Sequence, residues 1–271
     1  MRICNMKIVR LLIGLLLLPC CAAVAHAVYF MLATMGTEMA SFCLALGLGL
    51  FLWILMFVFL PAPVKMYVLA HELTHVLWGS LMGATVLGMR VSGKGGSVKL
   101  SESNFVVVLA PYFFPLYTIL IVGVWFLASV FVDLQKYFPL FIGAVGFTLG
   151  FHVCFTISAM GQRQPDIEQY GRFFSCALIC FMNLLVVGWL LVLVLPFSIN
   201  QFAVRLAADF IYVWRFIWIL ILRLYGVAAR HTERFSVFSL FVNTAVKDTA
   251  AYARLSAGYS STTRRRAARP A

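Results

Sequence analysis

Long apolar runs with almost no charge in them constrain this chain more than any other feature. A helix needs about 20 residues to cross a hydrocarbon core about 30 Å thick. Six runs reach or approach that length, at residues 11–35, 42–60, 64–82, 105–132, 138–160 and 173–197, and a weaker seventh lies at 202–225. Hydrophobic residues make up 63% of the chain and charged ones 11%, whereas a soluble domain is about 45–50% apolar. The expected fold class is therefore an all-α polytopic membrane protein with six to seven transmembrane helices. The first run follows Arg2, Lys7 and Arg10 and contains "AHA" at 25–27, which resembles a signal-peptide cleavage site. The apolar sequence continues through "VYFMLATM", which favours an uncleaved helix.

Within the third run stands "VLAHELTHVLWGS", residues 68–80. A titratable group in hydrocarbon is costly unless it is paired, so two histidines and a glutamate there mark a functional site. Residues 71–75 read H-E-L-T-H. On a helix, positions four apart lie one above the other, so His71 and His75 can reach one ion with Glu72 beside it. This is the spacing of a catalytic zinc site, in which the ion acidifies a water and the glutamate takes up its proton. A third ligand comes from His26, His152, His231 or a carboxylate. After the motif helix the chain crosses twice, by 105–132 and 138–160, and returns to the side on which that helix ends. Asp166, in "GQRQPDIEQYG", then lies on that side, and His75 sits about 10 Å below it at 1.5 Å per residue. His152 is the competitor, at a depth of about 12 Å, as ligand, as a group behind a ligand, or as a packed histidine. Gly79-x-x-x-Gly83 and Gly146-x-x-x-Gly150 are read as faces that let the motif helix and the helix leading to Asp166 approach closely.

Residues 89–92 and 97–100 alternate apolar and polar around Gly93 to Gly96, so a small β-hairpin is expected after the metal-binding helix. An exposed strand edge there can hold a substrate extended by β-addition. If all seven runs cross, one side collects Arg90, Lys94, Lys99, Arg163, Arg172 and the basic C-terminus. The other collects Arg2, Lys7, Arg10, Lys65 and Lys136. The positive-inside tendency then places the hairpin, Asp166 and the tail in the cytoplasm.

The net charge of +12 is unevenly placed, and the chain closes on a basic, small-residue tail that ends "STTRRRAARPA". This tail is read as a solvated anchor against anionic lipid headgroups rather than a nucleic-acid site. At 100° per residue Arg205, Asp209, Arg223 and Arg230 share a narrow arc, as on an interfacial helix or a span whose polar stripe faces the bundle. The seven cysteines are odd in number and sit mostly inside the apolar runs. Cys176 and Cys180 share a helix face, read as packing, and no disulfide framework is implied.

The H-E-x-x-H motif within a span, the Gly-rich hairpin after it and a later Asp before another span together resemble the site-2 protease family of intramembrane zinc metalloproteases. The resemblance covers roughly residues 64–190. It implies His71, His75 and Asp166 as zinc ligands, Glu72 as general base, and transmembrane proteins as substrates. "QPDIEQYG" and "LAPYFFP" depart from that family's usual N-x-x-P-x-P-x-L-D-G and Gly-Pro-x-x-Asn segments, which marks a divergent member. On this reading the chain divides into N-terminal transmembrane helices (1–63), an intramembrane metalloprotease core (64–197), an amphipathic or seventh membrane helix with its juxtamembrane region (198–254), and a basic disordered tail (255–271). The expected location is a multi-pass position in the membrane, the cytoplasmic one for a bacterial protein. Two other readings compete. One is a non-catalytic membrane scaffold with a relic metal site, against which the intact Glu72 argues. The other is a membrane-anchored zincin acting at the membrane surface, whose motif should have polar flanks. A di-iron hydroxylase needs about eight clustered histidines and the chain has five.

Overall fold

The computed structural model describes residues 2–34, 40–93, 95–194 and 198–224. The basic tail, the juxtamembrane stretch from 225, His231 and Lys94 lie outside the described residues. Met1–Trp214 form one compact unit and Arg215–Ala271 a second. The described part of the second is the helical stretch 215–224.

The fold is mostly helical, with one two-stranded hairpin. Helices α1 (Arg2–Ala33), α2 (Ala40–Phe59) and α3 (Val64–Leu81) precede strands β1 (Val86–Ser92) and β2 (Gly95–Leu100). Then come α4 (Phe105–Leu109), α5 (Leu116–Ser129), α6 (Phe138–Gly161), α7 (Pro165–Gln169), α8 (Arg172–Val194) and α9 (Ile199–Leu224). Among the described residues α1, α2, α6 and α8 are each long and apolar enough to cross a membrane. Phe105–Tyr112 and Leu116–Ser129 together make a fifth such stretch, bent by 79°. Pro111 and Pro115 explain the bend, since neither offers an N–H and each disfavours helix in the residue before it. The strands pair antiparallel, Ser92 with Gly95 and Met89 with Val98, with an irregularity between Val86 and Gly88.

Helix directions follow from which residues touch. Along α1 and α8, Gly14 lies against Phe173, Cys21 donates to the Ala177 carbonyl, Val28 meets Gly188, and Met31 packs with Val192, so the two run parallel. In the same way Phe42 meets Phe138, Trp53 meets Phe147 and Phe151, and Phe57 meets Phe155, so α2 runs parallel to α6. α9 returns along α1, with Phe202 beside Met31, Arg205 over Phe30 and Asp209 on His26. The start of α1 therefore stands at the end of the bundle where α6 finishes and α7 lies. Arg10 donates to the Gln169 carbonyl at 3.5 Å and covers the Tyr170 ring.

That contact corrects the charge tally, which placed Arg10 opposite Asp166. The error is one of parity. α3, expected to cross, has both flanks at the α7 end: Ala62 shares a cleft with Gln162 and Pro165. At the other flank Met82 accepts from Asn104, next to Phe105, whose ring meets Tyr170 and Phe174. The small-residue faces also serve a different pair from the one expected. Gly146 meets the Leu46 backbone and Gly150 meets Trp53, so they bring α6 onto α2. Gly79 receives Leu100 of β2, and Gly83, at φ +86°, ends α3 with nothing packed on it.

Candidate metal centre

α3 presents His71 and His75 on one face, ring centroids 4.8 Å apart and Nε2 atoms 3.2 Å apart. Asp166 arrives from α7, where Pro165 at the first helical position starts a short turn after α6. Its Oδ2 lies 3.2 Å from His71 Nε2 and 3.6 Å from His75 Nε2. These three residues form a group that could hold a metal ion.

The donor chemistry fits a cation. Asn104 caps α4 by accepting from the Val106 and Val107 amides. The Val107 carbonyl has no helical partner four residues on, because that residue is Pro111. It accepts from His75 Nδ1 at 2.9 Å. Since a carbonyl only accepts, Nδ1 carries the hydrogen, and in the neutral ring Nε2 presents a lone pair. That lone pair, the His71 nitrogen and an acceptor-only carboxylate oxygen converge within 3.2–3.6 Å, which is unfavourable unless they share a proton or an ion. The edge of a tetrahedron around zinc with bonds of 2.0–2.1 Å is about 3.3 Å, close to the separations observed. Burial alone would raise the Asp166 carboxyl pKa, but hydrogen bonds and charge from His71 and His75 outweigh it and hold it below the usual carboxylate range.

Glu72 points to the same place from under the hairpin. It is 5% exposed, and a Cβ added at Gly96 would lie 2.5 Å from its Cγ and 2.6 Å from Oε1. Its Oε2 is buried without a hydrogen-bond partner among the described residues. A cleft of about 980 Å³ opens over Glu72, the two histidines and Asp166. β2 forms one wall, and Tyr67, Phe155 and Gln162 contribute to the lining.

His152 does not join this group. Asn183, on α8, donates through Nδ2 to the Tyr112 and Ile179 carbonyls, both at 2.8 Å. Its Oδ1 therefore faces His152, and His152 Nε2, 3.0 Å away, must donate to it. That nitrogen is committed as a donor. His152 and His71 also line a separate small cavity of about 20 Å³.

The sequence reading missed Tyr112. Its hydroxyl donates to Asp166 Oδ2 at 3.2 Å, and its ring meets His71 edge-on, with centroids 5.2 Å apart. Asn183 was missed as well, although a lone amide inside a 23-residue apolar helix is the kind of residue that marks an internal polar contact. Compared with family models, curated proteins and solved structures, the chain gives no match.

Proposed function

We propose that the protein is an intramembrane zinc metalloprotease, a divergent relative of the site-2 proteases, that hydrolyses peptide bonds in or near transmembrane segments of membrane proteins. The observation that carries this reading is the convergence of His71, His75 and Asp166 from two separate elements, with a buried, unpartnered Glu72 oxygen beside them. His71, His75 and Asp166 hold the ion. A bound zinc supplies Lewis-acid chemistry, lowering the pKa of a water towards about 7 and polarising a carbonyl. Glu72 accepts the proton of the attacking water and delivers it to the leaving amine. Among the described residues β2 pairs only with β1, so its outer edge, along the cleft, offers backbone groups to an extended substrate.

The apolar helices support placement in a membrane, with α3 and the hairpin dipping in from one side. Arg10, Arg90, Lys99, Arg163 and Arg172 lie towards the end of the bundle that holds the cleft, against Lys136 with Asp133 in the α5–α6 connection. By the positive-inside tendency this end is cytoplasmic.

The test is metal content of the detergent-purified protein by elemental analysis, followed by cleavage of a transmembrane-segment reporter. Near-stoichiometric zinc is expected in wild type, Glu72→Gln and His152→Ala, and its loss in His71→Ala and Asp166→Ala. Cleavage is expected in wild type and abolished in Glu72→Gln. Folded wild-type protein that takes up no zinc when zinc is supplied would sink the proposal and leave a membrane scaffold. Loss of zinc in His152→Ala with retention in Asp166→Ala would move the third ligand.

A further inference from the structure

The break in the fifth apolar stretch does more than bend the chain. Interruption of the helix at Pro111 and Pro115 leaves the Tyr112 carbonyl without its usual amide, since Leu116 N donates to Phe114 instead. A buried carbonyl in that state needs a donor. Two side chains supply it: Asn183 Nδ2 from α8 at 2.8 Å and Thr156 Oγ1 from α6 at 3.2 Å. His152 fixes the orientation of the Asn183 amide by donating to its oxygen. Tyr112 is thereby held by its backbone at 1% exposure, with the ring against His71 and the hydroxyl on Asp166 Oδ2. This is the same oxygen that faces both histidine nitrogens. An ionised carboxylate only accepts, so the hydroxyl donates to it.

From this geometry we infer that Tyr112 is a positioning residue of the metal centre: its hydroxyl fixes the Asp166 carboxylate towards His71 and His75, and Asn183, Thr156 and His152 fix Tyr112. The inference rests on the metal-site reading above. It gives the departing "APYFFP" segment a role, because the prolines that break the helix create the carbonyl by which Tyr112 is held. α7 is a single short turn carried on a connection between α6 and α8. Without the phenol, the histidines are the groups left to orient Asp166 among the described residues.

The test is titration of cobalt(II) into metal-stripped protein, following the d–d absorption of wild type, Tyr112→Phe, Thr156→Val and Asp166→Asn. Tyr112→Phe keeps the ring contact with His71 and loses only the hydroxyl. It is expected to bind cobalt about 10- to 100-fold more weakly, the usual effect of removing a group that orients a ligand, with a shifted absorption band reporting the changed carboxylate. Thr156→Val is expected to weaken binding in the same direction by less. Wild-type affinity and spectrum in Tyr112→Phe would overturn the inference while leaving the metal site intact. Should that variant fail to fold, an unchanged affinity in Thr156→Val would do the same. Tight binding in Asp166→Asn would remove the ligand that Tyr112 is said to hold. Absence of cobalt binding by wild type would instead overturn the metal reading itself.

Discussion

A single methyl group should distinguish two glycines that lie two residues apart on α2. At Gly49 an added Cβ would fall on the Gly143 carbonyl oxygen and lie 2.8 Å from its carbon and 2.9 Å from Phe147 N. All three are backbone atoms, so no rotamer change relieves the contact. Comfortable separations are about 3.5–4.0 Å, so α2 and α6 must part by roughly 1 Å. That separation would loosen Trp53 from Phe147 and Phe151, whose centroids lie 5.1 and 4.9 Å away. Overpacking of this kind costs about 1–3 kcal/mol. At Gly47 the added Cβ meets nothing within 4 Å. Both substitutions gain about 0.5–1 kcal/mol of helix propensity, and this gain cancels in the comparison. Gly49→Ala should therefore melt below Gly47→Ala by about 2–12 °C, taking about 2–4 °C per kcal/mol for a chain of this size. The assay is paired thermal unfolding in one detergent. A Gly49→Ala protein that melts level with or above Gly47→Ala would refute the close approach of the two helices.

Other consequences can be checked as directly. Gly96→Ala should retain zinc yet lower reporter cleavage by about 100-fold or more, the scale of a misplaced general base. Unimpaired cleavage would mean that β2 does not rest on Glu72. Arg205 binds the buried Asp209 through Nε at 3.0 Å and Nη2 at 2.9 Å, and Asp209 is 3% exposed. Arg205→Leu should lower stability in thermal unfolding, by less than the about 3–5 kcal/mol of a fully orphaned buried charge because His26 still faces Asp209 at 3.1 Å, whereas Arg205→Leu with Asp209→Leu should recover most of the loss. Equal losses in the single and double variants would contradict this. The Asp166 carboxyl is more acidic folded than unfolded, despite its burial, because of the two histidines. On the acid side its contribution is thus lost only as pH falls from the unfolded pKa of about 4 through the lower folded value. In metal-free protein, the melting difference between wild type and Asp166→Asn should not begin to shrink until pH drops below about 4.

The elements of the fold were legible because hydrophobic runs report helices directly. The run at 138–160 becomes α6 at Phe138–Gly161, and the run at 202–225 becomes α9 at Ile199–Leu224. The hairpin was legible from its alternation and its glycines. His71, Glu72 and His75 could be read as one constellation because their spacing is local to a single helix. Asp166 was harder, being 95 residues from His71, and counting crossings located it. The same count misplaced Arg10, because apolar length cannot distinguish a helix that runs the length of the bundle from one, like α3, whose two flanks both lie at the α7 end. Glycine spacing at 146 and 150 marked a close approach but not its partner, since these residues carry no mark of α2, and at Gly83 it marked none. Tyr112 was illegible for another reason. Its importance lies in a carbonyl released by prolines and caught by Asn183 and Thr156, and no local pattern encodes such a meeting.

The parallel pairing of α1 with α8 also has a meaning in time. Cys21 and Ala177 are 156 residues apart, and His26 and Arg205 are 179 apart. At about 5–20 residues per second of synthesis, α1 waits about 8–36 s for the helices that cover it. During that interval Ala23, Val24 and Ala27, fully buried in the finished fold, lack the α8 and α9 partners of their helix. α1 is thus made well before the helices that pack on it, so its inner face is judged during biogenesis before it is judged by equilibrium. Gly14→Leu, set against Phe173 and Phe174, should accordingly reduce the yield of assembled protein from cells more than it lowers the melting temperature of the molecules that do assemble.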